Sequence, residues 1–176
     1  MTTRVHRRLP LVLGITGLVL MLTGCRPYKQ DAISLLSDAL TSYTWSASDK
    51  QHIKKSISRI GDALESENWI DNTHLTSDGG KTVFKTDAKA VIELQKVNAG
   101  SLTVINDAIA DLTQGDLGVA GTLVQDAENT PTANAAEVAL AETAWENAFT
   151  AFGASDNLGV LYYSEQAWQH AWNALH

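Results

Sequence analysis

Apolar side chains recur at steps of three and four residues through most of the chain after residue 25, the spacing of a helix face rather than of a strand. Ile33, Leu36, Leu40 and Tyr43 form one stripe, and Ile53, Ile57, Ile60 and Leu64 form a second. Ser48, with Gln51 three positions on, reads as the capping box that opens the second helix. The short connection between the two stripes favours antiparallel neighbours. Phe84, Ala88, Val91 and Gln95 trace a third helix, closed by Val97 and Asn98-Ala99-Gly100 and preceded by a polar loop over 71–81. Ser101 is placed to cap a fourth, with Ile105, Ile109 and Leu112 on one side. Gly115 and Asp116 then read as a C-terminal and an N-terminal cap, parting it from a fifth helix that carries Leu117, Ala120, Leu123, Val124 and Ala127 and stops at Asn129-Thr130-Pro131. A sixth helix spans roughly 133–152, and Gly153-Ala154-Ser155-Asp156 turns the chain into a seventh that ends near Leu175. The strand-like runs 82–84 and 102–105 are short and sit inside longer helical patterns. The expected fold is all-α, a helical bundle of antiparallel helix hairpins with about six to seven helices.

The first 25 residues break this pattern. Arg4, His6, Arg7 and Arg8 precede an uncharged run over 9–23, which ends at Gly24-Cys25. That is the layout of a secretory signal. The run is shorter than the roughly 20 residues a helix needs to cross a bilayer, and Pro10, Gly14 and Gly17 weaken it further. Its ending, Leu22-Thr23-Gly24-Cys25, resembles the lipobox of bacterial lipoproteins. The resemblance implies cleavage between Gly24 and Cys25, a diacylglyceryl group on the Cys25 thiol, and acylation of the new amino terminus. Each buried methylene contributes about 0.8 kcal/mol to attachment, so two or three chains hold where one myristoyl group exchanges. On this reading residues 1–24 are a cleaved signal peptide, 25–29 the lipidated terminus and a short tether, and 30–176 a single α-helical domain. An aspartate directly after the cysteine commonly keeps such lipoproteins at the inner membrane. Arg26 stands there instead, which points to the periplasmic face of the outer membrane in a Gram-negative cell and to the cell surface in a Gram-positive one.

Composition narrows the chemistry. Cys25 is the single cysteine, so once it carries lipid no thiol remains for a disulfide, a nucleophile or a thiolate metal site. The formal net charge of −7 is unevenly spread: no lysine or arginine follows Lys96, while Asp107, Asp111, Asp116, Asp126, Glu128, Glu137, Glu142, Glu146, Asp156 and Glu165 all do. Such a surface is a poor partner for nucleic acid, whose binding rests on neutralising phosphates. The basic half, 26–96, is expected to face the bilayer and the acidic half, 97–176, to face outward.

Motifs for catalysis fail on inspection. Gly79-Gly80-Lys81-Thr82 resembles the tail of a phosphate-binding loop, but Leu75 stands where the first glycine belongs. Asp71, Asn72, His74 and Asp78 share a loop without the fixed alternation and distal glutamate of a calcium site. His52, His170 and His176 lack the spacing of zinc ligands, and the pairs Asp107/Asp111 and Glu142/Glu146 each share a helix face with nothing to act on. No catalytic residue, metal or cofactor is expected.

Aromatic residues concentrate between 145 and 172. Trp145, Phe149, Phe152, Tyr162, Trp168 and Trp172, with Tyr163 beside them, form either the core of the last hairpin or a groove that presents Trp and Tyr to a partner or ligand. The expected function is that of a membrane-anchored, non-catalytic binding or scaffold module of the cell envelope, with an envelope protein or cell-wall component as partner. The alternative is a small-molecule or metal-binding sensor or carrier lipoprotein.

Overall fold

The computed structural model describes residues 25–98 and 102–176. The signal segment 1–24, the proposed cleavage residue Gly24 and the proposed cap Ser101 lie outside the described residues. Six α-helices follow one another: α1 (Cys25–Ser42), α2 (Ala47–Ala63), α3 (Ser77–Leu94), α4 (Leu102–Asn129), α5 (Ala135–Gly153) and α6 (Asn157–Leu175). A 3-10 turn over Ser66–Asn68 and a lone antiparallel bridge between Trp69 and Leu75 shape the connection from α2 to α3. The all-α bundle expected from the spacing is what the chain forms. Among the described residues no helix is long and apolar enough to cross a membrane.

Helix α4 sits at the centre. It packs against α1, α3, α5 and α6, while α2 lies on α3 and α1 at one side and α5 lies on α6 and α4 at the other. Its stretch 115–121 is buried all round, as a helix surrounded by neighbours must be. Here the structure corrects the sequence reading: the expected fourth and fifth helices are one, and Gly115-Asp116 is not a boundary. The glycines serve close approach. A Cβ on Gly115 would lie 3.2 Å from the Cys25 carbonyl oxygen and 3.3 Å from the Tyr28 Cβ, and one on Gly121 would lie 2.7 Å from the Trp145 ring.

Caps account for the other boundaries. The N-cap of α2 is Ser46 rather than Ser48, its hydroxyl accepting from the Asp49 N–H at 3.0 Å while donating to the Asp49 carboxylate at 2.7 Å. Thr76 caps α3, so Gly79 and Gly80 lie in the first turn of the helix and not in the loop before it. Ser155 takes a left-handed φ of 57°, closing α5, and Asp156 caps α6. At α1, the N–H groups of Cys25 and Arg26 both donate to the Asn72 carbonyl, at 2.9 and 3.0 Å, and Pro27 has no N–H to satisfy. Residues 25–29, expected as a tether, are therefore the opening of a packed helix.

Two glycines separate packing from propensity. At Gly79 a Cβ would meet the Asn68 backbone, 2.7 Å from its carbonyl carbon and 2.8 Å from its Cα, and backbone cannot step aside. Nothing lies within 4 Å of a Cβ at Gly61. Gly79→Ala is expected to lower the unfolding free energy by about 3 kcal/mol, and Gly61→Ala to raise it by up to about 1 kcal/mol, both read by urea denaturation.

Candidate functional site

The six aromatic residues read as either the core of the last hairpin or one binding groove separate into different surroundings. Trp145 packs edge-on against Phe149 at 4.8 Å between centroids, and its indole N–H donates to the Leu117 carbonyl at 3.3 Å, so this pair closes on α4. Trp168 is buried against Phe84 of α3, over Gly80. Trp172 stacks on Trp168 at 5.3 Å and on His176 at 4.1 Å between centroids. Phe152 and Tyr162 are exposed. A recess of about 290 Å³ remains between α3 and α6, lined in part by Lys81, Glu165, Trp168 and Trp172. Trp168 is thus the buried aromatic of the group, while Trp145, Phe149, Tyr163 and Trp172 pack half-buried against the cores.

The fold brings together a group that the spacing rules did not assemble. The Lys29 ammonium, on α1, donates to the carboxylates of Asp87 on α3 and Asp116 on α4, and all three side chains are completely buried. Burial alone would lower the Lys29 pKa, but attraction and hydrogen bonds from Asp116 and Asp87 outweigh it and raise the value above that of a free lysine. Burial, with Asp116 adding repulsion, raises the Asp87 pKa well above its ordinary value despite the neighbouring ammonium. One oxygen of each carboxylate, Asp87 Oδ1 and Asp116 Oδ2, has no hydrogen-bond partner. A signal was present in the sequence: Lys29 falls on the same stripe as Cys25, Ala32, Leu36 and Ala39, and a lysine on an apolar face needs a buried partner.

Four residues before Lys29 lies Cys25. Its side chain is buried, and a Cβ on Gly118 would come within 2.8 Å of the sulfur. Burial raises the thiol pKa to about 12. The Arg26 guanidinium donates to the Leu64 carbonyl at 2.9 Å and lies 5.8 Å above the Trp69 ring. The start of the polar loop expected over 71–81 crosses this turn at Asn72. His74 fastens it: Nδ1 lies 2.8 Å from Asp71 Oδ2, and Nε2 lies 2.9 Å from Asp126 Oδ2 on α4. Both ring nitrogens donate only when the imidazole is protonated. Burial disfavours that form, but the bonds to Asp126 and Asp71 prevail and raise the His74 pKa.

The other histidines among the described residues are paired as well. His52 lies 2.7 Å from Glu93, which also accepts from Lys96 at 2.9 Å, and the two bonds hold Glu93 down at about 2. His170 meets Glu137 at 2.8 Å, while His176 reaches the Trp172 carbonyl at 3.1 Å. The acids cluster across helices as well as along them. Burial, with Asp31 and Asp107 nearby, lifts Asp111 to about 6, and Glu128 is raised by burial and by Glu142. Among the described residues no group of three or more His, Cys, Asp or Glu is arranged to hold a metal ion.

No protein-family model, no curated protein and no solved structure matches this chain.

Two expectations test these contacts. Lys29→Met leaves two buried carboxylates without their cation and is expected to cost about 3–5 kcal/mol of stability, whereas replacing all three members by apolar residues of similar volume is expected to recover most of it; chemical denaturation of both variants measures this. The His74 pKa is raised on folding, so its contribution is complete below the unfolded value of about 6.5 and is lost as pH rises through the higher folded value. The groups are half-exposed, so His74→Gln is expected to cost under about 1 kcal/mol at pH 5.5 and almost nothing at pH 9, read from melting temperature against pH.

Proposed function

We propose that this chain is a lipid-anchored helical module of the cell envelope that acts by binding rather than by catalysis. The observation that carries the reading is the segment Leu22-Thr23-Gly24-Cys25 at the end of an uncharged run, joined without a spacer to the first helix of the folded domain. Binding is favoured over catalysis because the ionisable side chains in closest contact are engaged in holding the fold. Lys29, Asp87 and Asp116 lie inside it, and His52, His74 and His170 each tie two elements together. Arg26 after the cysteine favours the outer membrane in a Gram-negative cell. The partner is an envelope protein or a cell-wall component, met by the outward acidic surface.

The anchor makes a structural demand. Cys25 is buried with its sulfur against Gly118, so in the lipidated protein that side chain turns out of its seat on α4. Intact mass of the membrane-extracted protein tests the reading. The expected result is the mass of residues 25–176 plus acyl groups, with neither acylation nor that cleavage in Cys25→Ala. A released chain without acyl groups, or one beginning elsewhere, would overturn it.

A further inference from the structure

Among the described residues, positive charge concentrates on the outward face of α2. Lys50, Lys54 and Lys55 share its outward face with Ala47, Gln51 and Ser58, around a shallow depression of about 580 Å³, and Arg59 flanks them. Ile53, Ser56 and Ile60 point the other way, into the core. None of the four basic side chains makes an ion pair among the described residues. The nearby acids are already engaged: Asp49 with Ser46 and the Asn98 N–H, and Glu93 with His52 and Lys96, although Glu93 still attracts Lys55.

We infer that this face of α2 rests on anionic lipid headgroups beside the membrane anchor, so that the domain lies along the bilayer with α5 turned away from it. The inference rests on the anchored reading and specifies the surface it brings to the membrane. Three observations select a lipid surface as the occupant. The bond from Arg26 to the Leu64 carbonyl holds the C-terminal end of α2 beside Cys25, the point to which either a lipid or the uncharged run 9–23 would draw the bilayer. At 1.5 Å per residue, Lys55 and Lys50 lie about 14 and 21 Å along α2 from Leu64, so a helix laid along the bilayer brings both to the surface that holds the anchor. Charge completes the argument. Helix α5, on the opposite side of the bundle, carries Glu137, Glu142 and Glu146 and no basic residue, so an anionic surface attracts one side of the domain and repels the other.

The test uses the full chain extracted from membranes, with a fluorophore on Ser58→Cys or, on α5, on Thr143→Cys, both exposed positions. The protein is reconstituted into vesicles of phosphatidylcholine alone or mixed with phosphatidylglycerol, each holding headgroup-linked quencher. The expected result is quenching at residue 58 only with phosphatidylglycerol, reversed by high salt, and none at residue 143. Each basic residue near such a surface strengthens attraction about fivefold, so Lys50→Glu, Lys54→Glu and Lys55→Glu together should abolish the quenching while the denaturation midpoint stays in place. Equal quenching at both positions, or quenching at 58 indifferent to phosphatidylglycerol, overturns the inference; a residue 58 that stays exposed on anionic vesicles leaves an acidic protein as the occupant. Flotation with phosphatidylcholine vesicles at high salt reads the anchor separately. A chain that fails to float there but reaches phosphatidylglycerol through residue 58 would remove the anchor and keep the α2 surface.

Discussion

The placement of one ammonium group sets the register of three helices. Lys29 lies between Cys25 and Ala32 on α1, Asp87 between Phe84 and Ala90 on α3, and Asp116 between Leu112 and Val119 on α4. In each case the residue on one side belongs to one apolar cluster and the residue on the other side to another. The triad is therefore a polar layer between two hydrophobic cores. Apolar contact is non-directional, and alanine-rich helices have many nearly equivalent ways to meet. A buried cation between two carboxylates has one. Sliding α1 by a single turn of about 5.4 Å would leave Lys29 in hydrocarbon without a partner.

Small residues on α4 let that layer form. Gly115, Gly118 and Gly121 follow at three-residue intervals, and they meet the Cys25 carbonyl and Tyr28, the Cys25 sulfur, and the Trp145 ring respectively. The first two bring the start of α1 close enough for a lysine on its next turn to reach into the bundle. The third receives a large aromatic side chain from α5. A helix with side chains at these positions would hold its neighbours further apart and leave the ammonium short of its carboxylates.

Hydrophobic spacing was enough to reveal the helices at both ends of the chain, because α1, α2, α5 and α6 each keep a buried stripe and an exposed face. It misled at α4, where surrounding neighbours remove the polar face that periodicity depends on. There Gly115-Asp116 has the same local look as a cap, and the difference lies in Lys29, 87 residues earlier. The sequence likewise places Trp145 and Trp168 near one another on a hairpin without showing that one turns to α4 and the other to α3. His74 reads as part of a polar loop because its partner, Asp126, is 52 residues away. The missed parts are the long-range polar pairs, which no local window contains.

The seat of Cys25 also orders events in time. A thiol held at about 12 and covered by α4 is neither ionised nor accessible. Seating of that sulfur and chemistry on it are therefore mutually exclusive, and whichever comes first governs the other. A chain that folds early shields its own attachment point. A chain modified early docks α1 with the sulfur turned outward, while the Cys25 and Arg26 N–H groups still reach the Asn72 carbonyl.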